Sequence, residues 1–161
     1  MAHAKPTLSI VIPAFNEELV LRAALESIAH QTVPVDEVIV VDNNSQDRTD
    51  DIARSYSFVK LIQEPQRGIA PARDRGFNEA TGRLIGRIDA DTVLPPDWAE
   101  RVHQLCDAHA DQLYAISGPA YAYGLPRWLG RLIGFVVINA GFFGVSRLVL
   151  HHEPLYGSNM V

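Results

Sequence analysis

The stretch Leu8-Ser9-Ile10-Val11-Ile12-Pro13-Ala14-Phe15-Asn16-Glu17 decides the fold class. A short β-branched run closed by a proline and polar residues reads as a parallel strand buried on both faces. Beyond it, Leu21, Ala24, Leu25 and Ile28 recur at helical spacing, so a helix is expected from about Glu17 to His30. Val38 to Val41 repeats the buried-strand pattern and ends in Asp42-Asn43-Asn44-Ser45. Asp47 or Ser45 is suited to cap a helix running to about Ser55, and Val59 to Ile62 is read as a third strand.

Gly68 breaks the chain again. Pro71 fits the first turn of a helix whose inner face is Ile69, Ala72, Gly76, Phe77 and Ala80, with Gly82 as its stop. Leu84 to Ile88 is a fourth strand ending in Asp89-Ala90-Asp91. Asp97 with Glu100 resembles a capping box, opening a helix with an inner stripe of Trp98, Val102, Leu105 and His109. A fifth strand is expected over Leu113 to Ser117. Strands alternating with helices of this length imply an α/β fold: a mostly parallel, Rossmann-like sheet with helices on both faces. Ligands bind such sheets at the carboxyl ends of the strands. The polar clusters Asn16-Glu17, Asp42 to Ser45 and Asp89 to Asp91 all fall there.

Composition narrows the function. The 161 residues suffice for one domain with a real core, and 47% apolar with 20% charged residues is globular. A net charge of -5 argues against a nucleic-acid partner, which needs clustered positive charge, but not against a nucleotide ligand. The single cysteine, Cys106, sits at an apolar helical position and reads as an inert buried thiol. Met1 to Thr7 is short and polar, unlike a signal peptide, so a cytoplasmic location is the default. Leu132 to Val145 is almost entirely apolar but shorter than the ~20 residues of a membrane span. A core helix is the favoured reading. The alternative is a segment in a membrane interface with Arg131 and Arg147 at the headgroups, giving peripheral association at the cytoplasmic face.

Asp89-Ala90-Asp91 is the most informative motif. Strand alternation would bring both carboxylates to one side, where they repel and a hard divalent cation relieves them. Mn²⁺ or Mg²⁺, held by one or two carboxylates with phosphate oxygens filling other positions, suits a diphosphate ligand. Asp42 is either an Asx-turn residue, with Asn43, Asn44 and Ser45 making local backbone bonds, or an acceptor for a base N–H. Arg67-Gly68 precedes a helix start and is suited to an anion, with an exposed arginine as the plain alternative. Arg73, Asp74 and Arg75 read as a solvated charged face, and Glu17 as a first-turn helix residue. His151-His152-Glu153 is expected to be an accidental match to a metal cluster, because adjacent histidines point apart on a helix. No Gly-x-Gly-x-x-Gly follows the first strand, and neither a P-loop nor a Gly-x-Ser-x-Gly turn occurs.

Ser9 to Glu17, Val40 to Ser45, Arg67-Gly68 with Ala72-Arg73-Asp74-x-Gly76, and Asp89-Ala90-Asp91 together resemble family 2 glycosyltransferases of the GT-A fold. The resemblance covers about Leu8 to Arg101. It implies an inverting, metal-dependent transfer from a UDP- or GDP-linked sugar to the hydroxyl of an unknown acceptor. By the same resemblance Asp42 contacts the base, Pro13, Phe15 and Glu17 line the nucleotide pocket, and Arg67 lies near base or diphosphate. Asp89 then holds ribose or metal, and Asp91 the metal. Asp74 stands where the family usually has Asn. Residues 1–125 are expected to form the nucleotide-sugar-binding domain and 126–161 the start of an acceptor-side region. Gly157-Ser158-Asn159-Met160 looks like the segment that precedes the family's base carboxylate, so the catalytic base is expected beyond Val161 and the chain to be a fragment that binds nucleotide with little or no turnover. The rival readings are a sugar nucleotidyltransferase, disfavoured by the missing glycine-rich loop, and a non-catalytic nucleotide-binding or membrane-apposed module.

Overall fold

Every residue of the first strand, β1 (Leu8–Ala14), is buried. A strand enclosed on both faces needs cover from two layers, and that requirement organises the rest. The computed structural model describes residues 7–108 and the backbone of 159–160. In chain order the elements are β1, α1 (Leu21–Ala29), β2 (Glu37–Asp42), α2 (Thr49–Arg54), β3 (Val59–Gln63), α3 (Ile69–Glu79), β4 (Leu84–Ile88), α4 (Trp98–Ala108) and the two-residue β5 (Asn159–Met160). The chain divides into two compact units, 1–114 with 161, and 115–160. The expected boundary at 125/126, the strand at Leu113 to Ser117, the apolar run Leu132 to Val145 and the His151-His152-Glu153 cluster lie outside the described residues. No helix among the described residues is long and apolar enough to cross a membrane.

In the first unit four parallel strands run in the order β3-β2-β1-β4. Val11 of β1 lies level with Ile39 of β2 and Arg87 of β4. One face of the sheet, with Leu8, Ile10, Ile12, Val40 and Ile88, packs against Leu21 and Leu25 of α1, Ile52 of α2 and Trp98 and Val102 of α4. The other face, Val11, Ile39, Val41 and Ile62, packs against Ala72 of α3. This is the two-sided α/β architecture the sequence implies. Between β1 and β4 the strand order reverses, the position at whose carboxyl ends sheets of this kind generally take ligands.

Four local expectations are corrected. The first helix starts at Leu21, not Glu17. Asn16 adopts a left-handed conformation (φ 56°), and the N–H groups of Glu17 and Glu18 donate to Thr49 Oγ1 (2.8 Å) and Asp47 Oδ2 (3.0 Å). Glu17 is thus held in a turn tied to α2. Neither Asp47 nor Ser45 is the cap of α2: the N-cap residue is Arg48, without a side-chain cap, while Asp47 before it accepts the Thr49 N–H at 2.9 Å and the Ser45 hydroxyl takes the Asn16 N–H. Asp97 and Glu100 form no capping box: Asp97 pairs with Arg101, and Glu100 accepts the Thr32 hydroxyl at 3.3 Å. The buried stripe of α4 is Trp98, Ala99, Val102 and His103, and Leu105 is exposed. The Trp98 ring lies over Gly86, where a Cβ would come within 2.9 Å of it, and this seating sets the helix rotation.

The inner face of α3 is narrower than expected. Ala72 and Gly76 are buried, whereas Ile69 and Phe77 are exposed, and the helix ends at Glu79 before Gly82. Gly82 serves close approach to β1, since a Cβ there would sit 2.7 Å from the Ser9 nitrogen. At Gly76 a Cβ would meet Val11 Cγ1 at 2.2 Å and Val41 Cγ2 at 3.2 Å. The absent side chain lets α3 lie against the sheet. Gly76→Ala is expected to destabilise the domain by about 1–3 kcal/mol through overpacking, measured by urea unfolding. Unchanged stability would mean that α3 is free to move away.

Candidate functional site

The carboxyl ends of β1, β2 and β3 leave backbone groups unpaired, and side chains of neighbouring loops take them up. Asn16 N–H donates to Ser45 Oγ (2.9 Å), and Gln46 N–H returns to Asn16 Oδ1 (2.8 Å). With the two bonds from Glu17 and Glu18, this laces the β1–α1 loop to the β2–α2 loop. Asn43, 6% exposed, reaches the third loop. Its Nδ2 donates to the Glu64 and Gln66 carbonyls (2.9 and 2.7 Å), and its Oδ1 accepts the Gly68 N–H at 2.8 Å. Asn44, left-handed at φ 66°, donates to the Glu64 and Pro65 carbonyls. The local-turn reading therefore holds only for Asp42, whose Oδ1 accepts the Ser45 N–H (3.1 Å). The two asparagines bind at long range, because the strand end of β2 lies beside the loop that follows β3.

These loops frame a cleft of about 390 Å³. Pro13, Phe15, Glu17 and Arg67 line it, as does Asn43, which the sequence reading did not assign to the pocket. Phe15 and Ile69 stay 48% and 54% exposed, so the cleft carries open apolar surface. The Arg67 guanidinium stands 5.9 Å from the centre of the Phe15 ring. Gly68, at φ 132°, turns the chain into α3 where a side chain would be strained. Apolar walls with a few placed polar groups are the usual make-up of a small-molecule site. Asp42 is 3% exposed at the end of β2, adjoining the lining residue Asn43.

The acidic part lies at the ends of β1 and β4. Burial pushes the Glu17 carboxyl above its ordinary range, and the negative charges of Asp91, Asp47 and Asp89 add to the rise. Glu17 thus senses carboxylates from the β2–α2 loop and from the turn after β4. No three His, Cys, Asp or Glu side chains among the described residues form a metal group by themselves. Two oxygen-bearing side chains on the Asp89–Asp91 turn, amid further negative charge, do suit a hard cation that completes its shell with ligand oxygens and water.

A cation also occurs here that was not singled out in the sequence. Arg87, in the strand β4, is 1% exposed and donates from Nη1 to Asp89 Oδ1 at 2.9 Å. Burial lowers its pKa, Asp89 opposes that, and Arg73 of α3 adds to the lowering. The available signal was a charge within an apolar strand, two residues before a carboxylate on the same side. Elsewhere, Asp74 and Arg75 line a more open cleft of about 440 Å³ outside α3, and Arg75 pairs with Glu79 at 3.0 Å. Burial pushes the half-buried Cys106 thiol up, in keeping with an inert cysteine.

The strand order, the two covering layers and the cleft at the strand ends define an α/β domain of the GT-A type. Comparisons with known proteins agree. Residues 9–148 match glycosyl transferase family 2, and the chain belongs to that family. It is 35% identical over 108 residues to the glycosyltransferase AglE of Haloferax volcanii, covering 63% of this chain and 36% of AglE. The mannosyltransferase PcManGT of Pyrobaculum calidifontis, solved with GDP-Man and Mn²⁺, superposes with a TM-score of 0.62 and 29% identity over 73% of this chain and 37% of that one. Glucosyl-3-phosphoglycerate synthase of Mycobacterium tuberculosis, solved with Mn²⁺, UDP and phosphoglyceric acid, shares the fold with a TM-score of 0.66 and 23% identity, covering 97% of this chain and 55% of that one. The chain spans about a third of the length of the curated relatives it matches first.

Two outcomes test this geometry. Asn43→Ala removes three partly buried hydrogen bonds, and we expect a loss of about 1–3 kcal/mol with faster amide exchange over residues 64–68. Equal exchange in both proteins would show that the loop is held otherwise. For Glu17, a folded-state pKa above the unfolded one means that ionisation costs stability above the raised pKa, and the cost vanishes below the ordinary carboxylate range. Glu17→Gln should therefore unfold at a higher temperature than the parent at pH 7 and at the same temperature near pH 3, about one unit below a free glutamate. A lower midpoint at pH 7 would contradict the electrostatic reading.

Proposed function

We propose that this chain forms the donor-binding part of an inverting, metal-dependent glycosyltransferase that moves a sugar from a nucleoside diphosphate to an acceptor hydroxyl. The observation that carries the reading is the adjacency of two unlike surfaces. The Phe15–Arg67 cleft offers an apolar and cationic wall suited to a flat base. The Asp89–Asp91 turn, whose charges Glu17 senses, offers hard oxygen ligands of the kind a metal–diphosphate needs. A nucleoside diphosphate has the same two ends.

In this reading Pro13, Phe15 and Glu17 shape the nucleotide pocket, and Arg67 stacks on the base or pairs with phosphate. Asp42 has one carboxylate oxygen engaged by Ser45 and keeps the other for a base N–H. Uracil and guanine both present such a donor, and the solved relatives include both UDP and GDP-Man complexes. Asp89 and Asp91 would hold Mn²⁺ or Mg²⁺ with ribose or phosphate oxygens. When bound, the ion supplies charge stabilisation to the departing diphosphate. The described residues thus serve donor binding and orientation. Deprotonation of the acceptor hydroxyl requires a general base, which we place outside them.

Calorimetric titration with UDP, GDP and their sugars, with and without Mn²⁺, tests the proposal. One nucleotide class should bind in a metal-dependent way, and Asp89→Ala/Asp91→Ala should weaken that binding at least about tenfold, or about 1.4 kcal/mol. Metal-sensitive affinity that survives the double substitution would refute the assignment.

A further inference from the structure

Arg87 poses an energetic question. A guanidinium 1% exposed in a central strand carries a large desolvation cost, which hydrogen bonds must offset. Among the described residues it has one such bond, to Asp89, and its Nε and Nη2 have no hydrogen-bond partner. Arg73 of α3 carries a buried unpartnered Nε as well, and its charge opposes that of Arg87. A buried arginine with one carboxylate partner and a second arginine's charge acting on it contributes little to stability. An apolar side chain of similar length would fill the same space at lower cost.

The position of the single bond suggests why the charge is there. Asp89 opens the Asp89–Asp91 turn, and its side chain is 38% exposed. A half-exposed carboxylate on a turn is free to rotate, and a ligand that needs it in one orientation must meet the cost of fixing it. Arg87 sits in the rigid strand immediately before, on the same side of the sheet. At 1% exposed the guanidinium offers a ligand almost no surface, and its hydrogen bond to Asp89 is the route by which it acts. We propose that Arg87 is a positioning residue: its buried guanidinium holds Oδ1 of Asp89, so that Oδ2 is presented in a fixed orientation to the metal–nucleotide ligand. The inference rests on the donor-binding reading and adds a residue that acts from behind the ligand shell. Such outer partners commonly change ligand affinity about ten- to a hundredfold.

The test uses the 161-residue chain in five forms: parent, Arg87→Met, Arg87→Lys, Asp89→Asn and Arg87→Met/Asp89→Asn. Each is titrated with UDP and GDP in Mn²⁺ and unfolded thermally. We expect Arg87→Met to weaken metal-dependent nucleotide binding about tenfold or more while its unfolding midpoint stays level or rises. We expect no further loss when it is added to Asp89→Asn, because the effect runs through that carboxylate. Arg87→Lys, which keeps the charge without the fork, should bind between parent and Arg87→Met. Parent-like affinity in Arg87→Met, or an equal loss in both backgrounds, overturns the proposal. If Arg87→Met does not fold, the proposal stands only if Arg87→Lys folds and its loss disappears in the Asp89→Asn background. A parent without metal-dependent affinity overturns the donor-binding reading and this inference together, whereas a metal-dependent parent with an unaffected Arg87→Met overturns this inference alone.

Discussion

The cleft exists because the strand ends leave peptide groups unpaired and side chains from adjacent loops complete them. Asn43 is the centre of this arrangement, with both ends of its amide committed to the loop between β3 and α3. Asn16 and Ser45, with Asp47 and Thr49, do the same between the first two loops. Without these bonds the three loops would be independent surface segments. With them, Phe15 and Arg67 are brought face to face although fifty-two positions separate them in the sequence. Buried peptide groups must find partners, so the same bonds that satisfy the backbone also fix the pocket.

The opposite side of the site is arranged by charge. Burial raises the pKa of Glu17, and the charges of Asp91, Asp47 and Asp89 at the strand ends add to the rise, a cost to its ionised form. A cation bound beside these carboxylates would offset that cost, which is why the proposed donor site is expected to depend on a metal. Arg87 belongs to the same balance. It supplies positive charge from within the sheet, at a desolvation cost that packing alone would not justify.

Much of this was legible in the sequence. The β-branched runs gave β1 to β4, and the helical spacing of Leu21, Leu25 and Ile28 gave α1. Of the six positions that the family resemblance implies for nucleotide-sugar binding, Pro13, Phe15, Glu17 and Arg67 line one cleft, whereas Asp42 and Asp89 are not among its lining residues. The errors have a common source. The start of α1, the roles of Asn43 and Asn44, and the rotation of α4 were read from neighbours along the chain. In each case a partner distant in sequence prevailed: Thr49 and Asp47 for Glu17 and Glu18, the Glu64 carbonyl for both asparagines, and Gly86 beneath Trp98 for α4.

Periodicity and residue type by themselves determined the α/β class, the parallel sheet and the edge of it where the polar clusters gather. These follow from which side chains avoid water and from the repeat lengths of strand and helix, both of which are local properties. Only the tertiary structure decided that Asn43 holds the Arg67 loop, that Glu17 lies in the field of Asp89 and Asp91, and that Arg87 is enclosed beside Asp89. Hydrogen bonds and Coulomb interactions depend on distance in space, and the chain's own order does not specify that distance until the strands have paired.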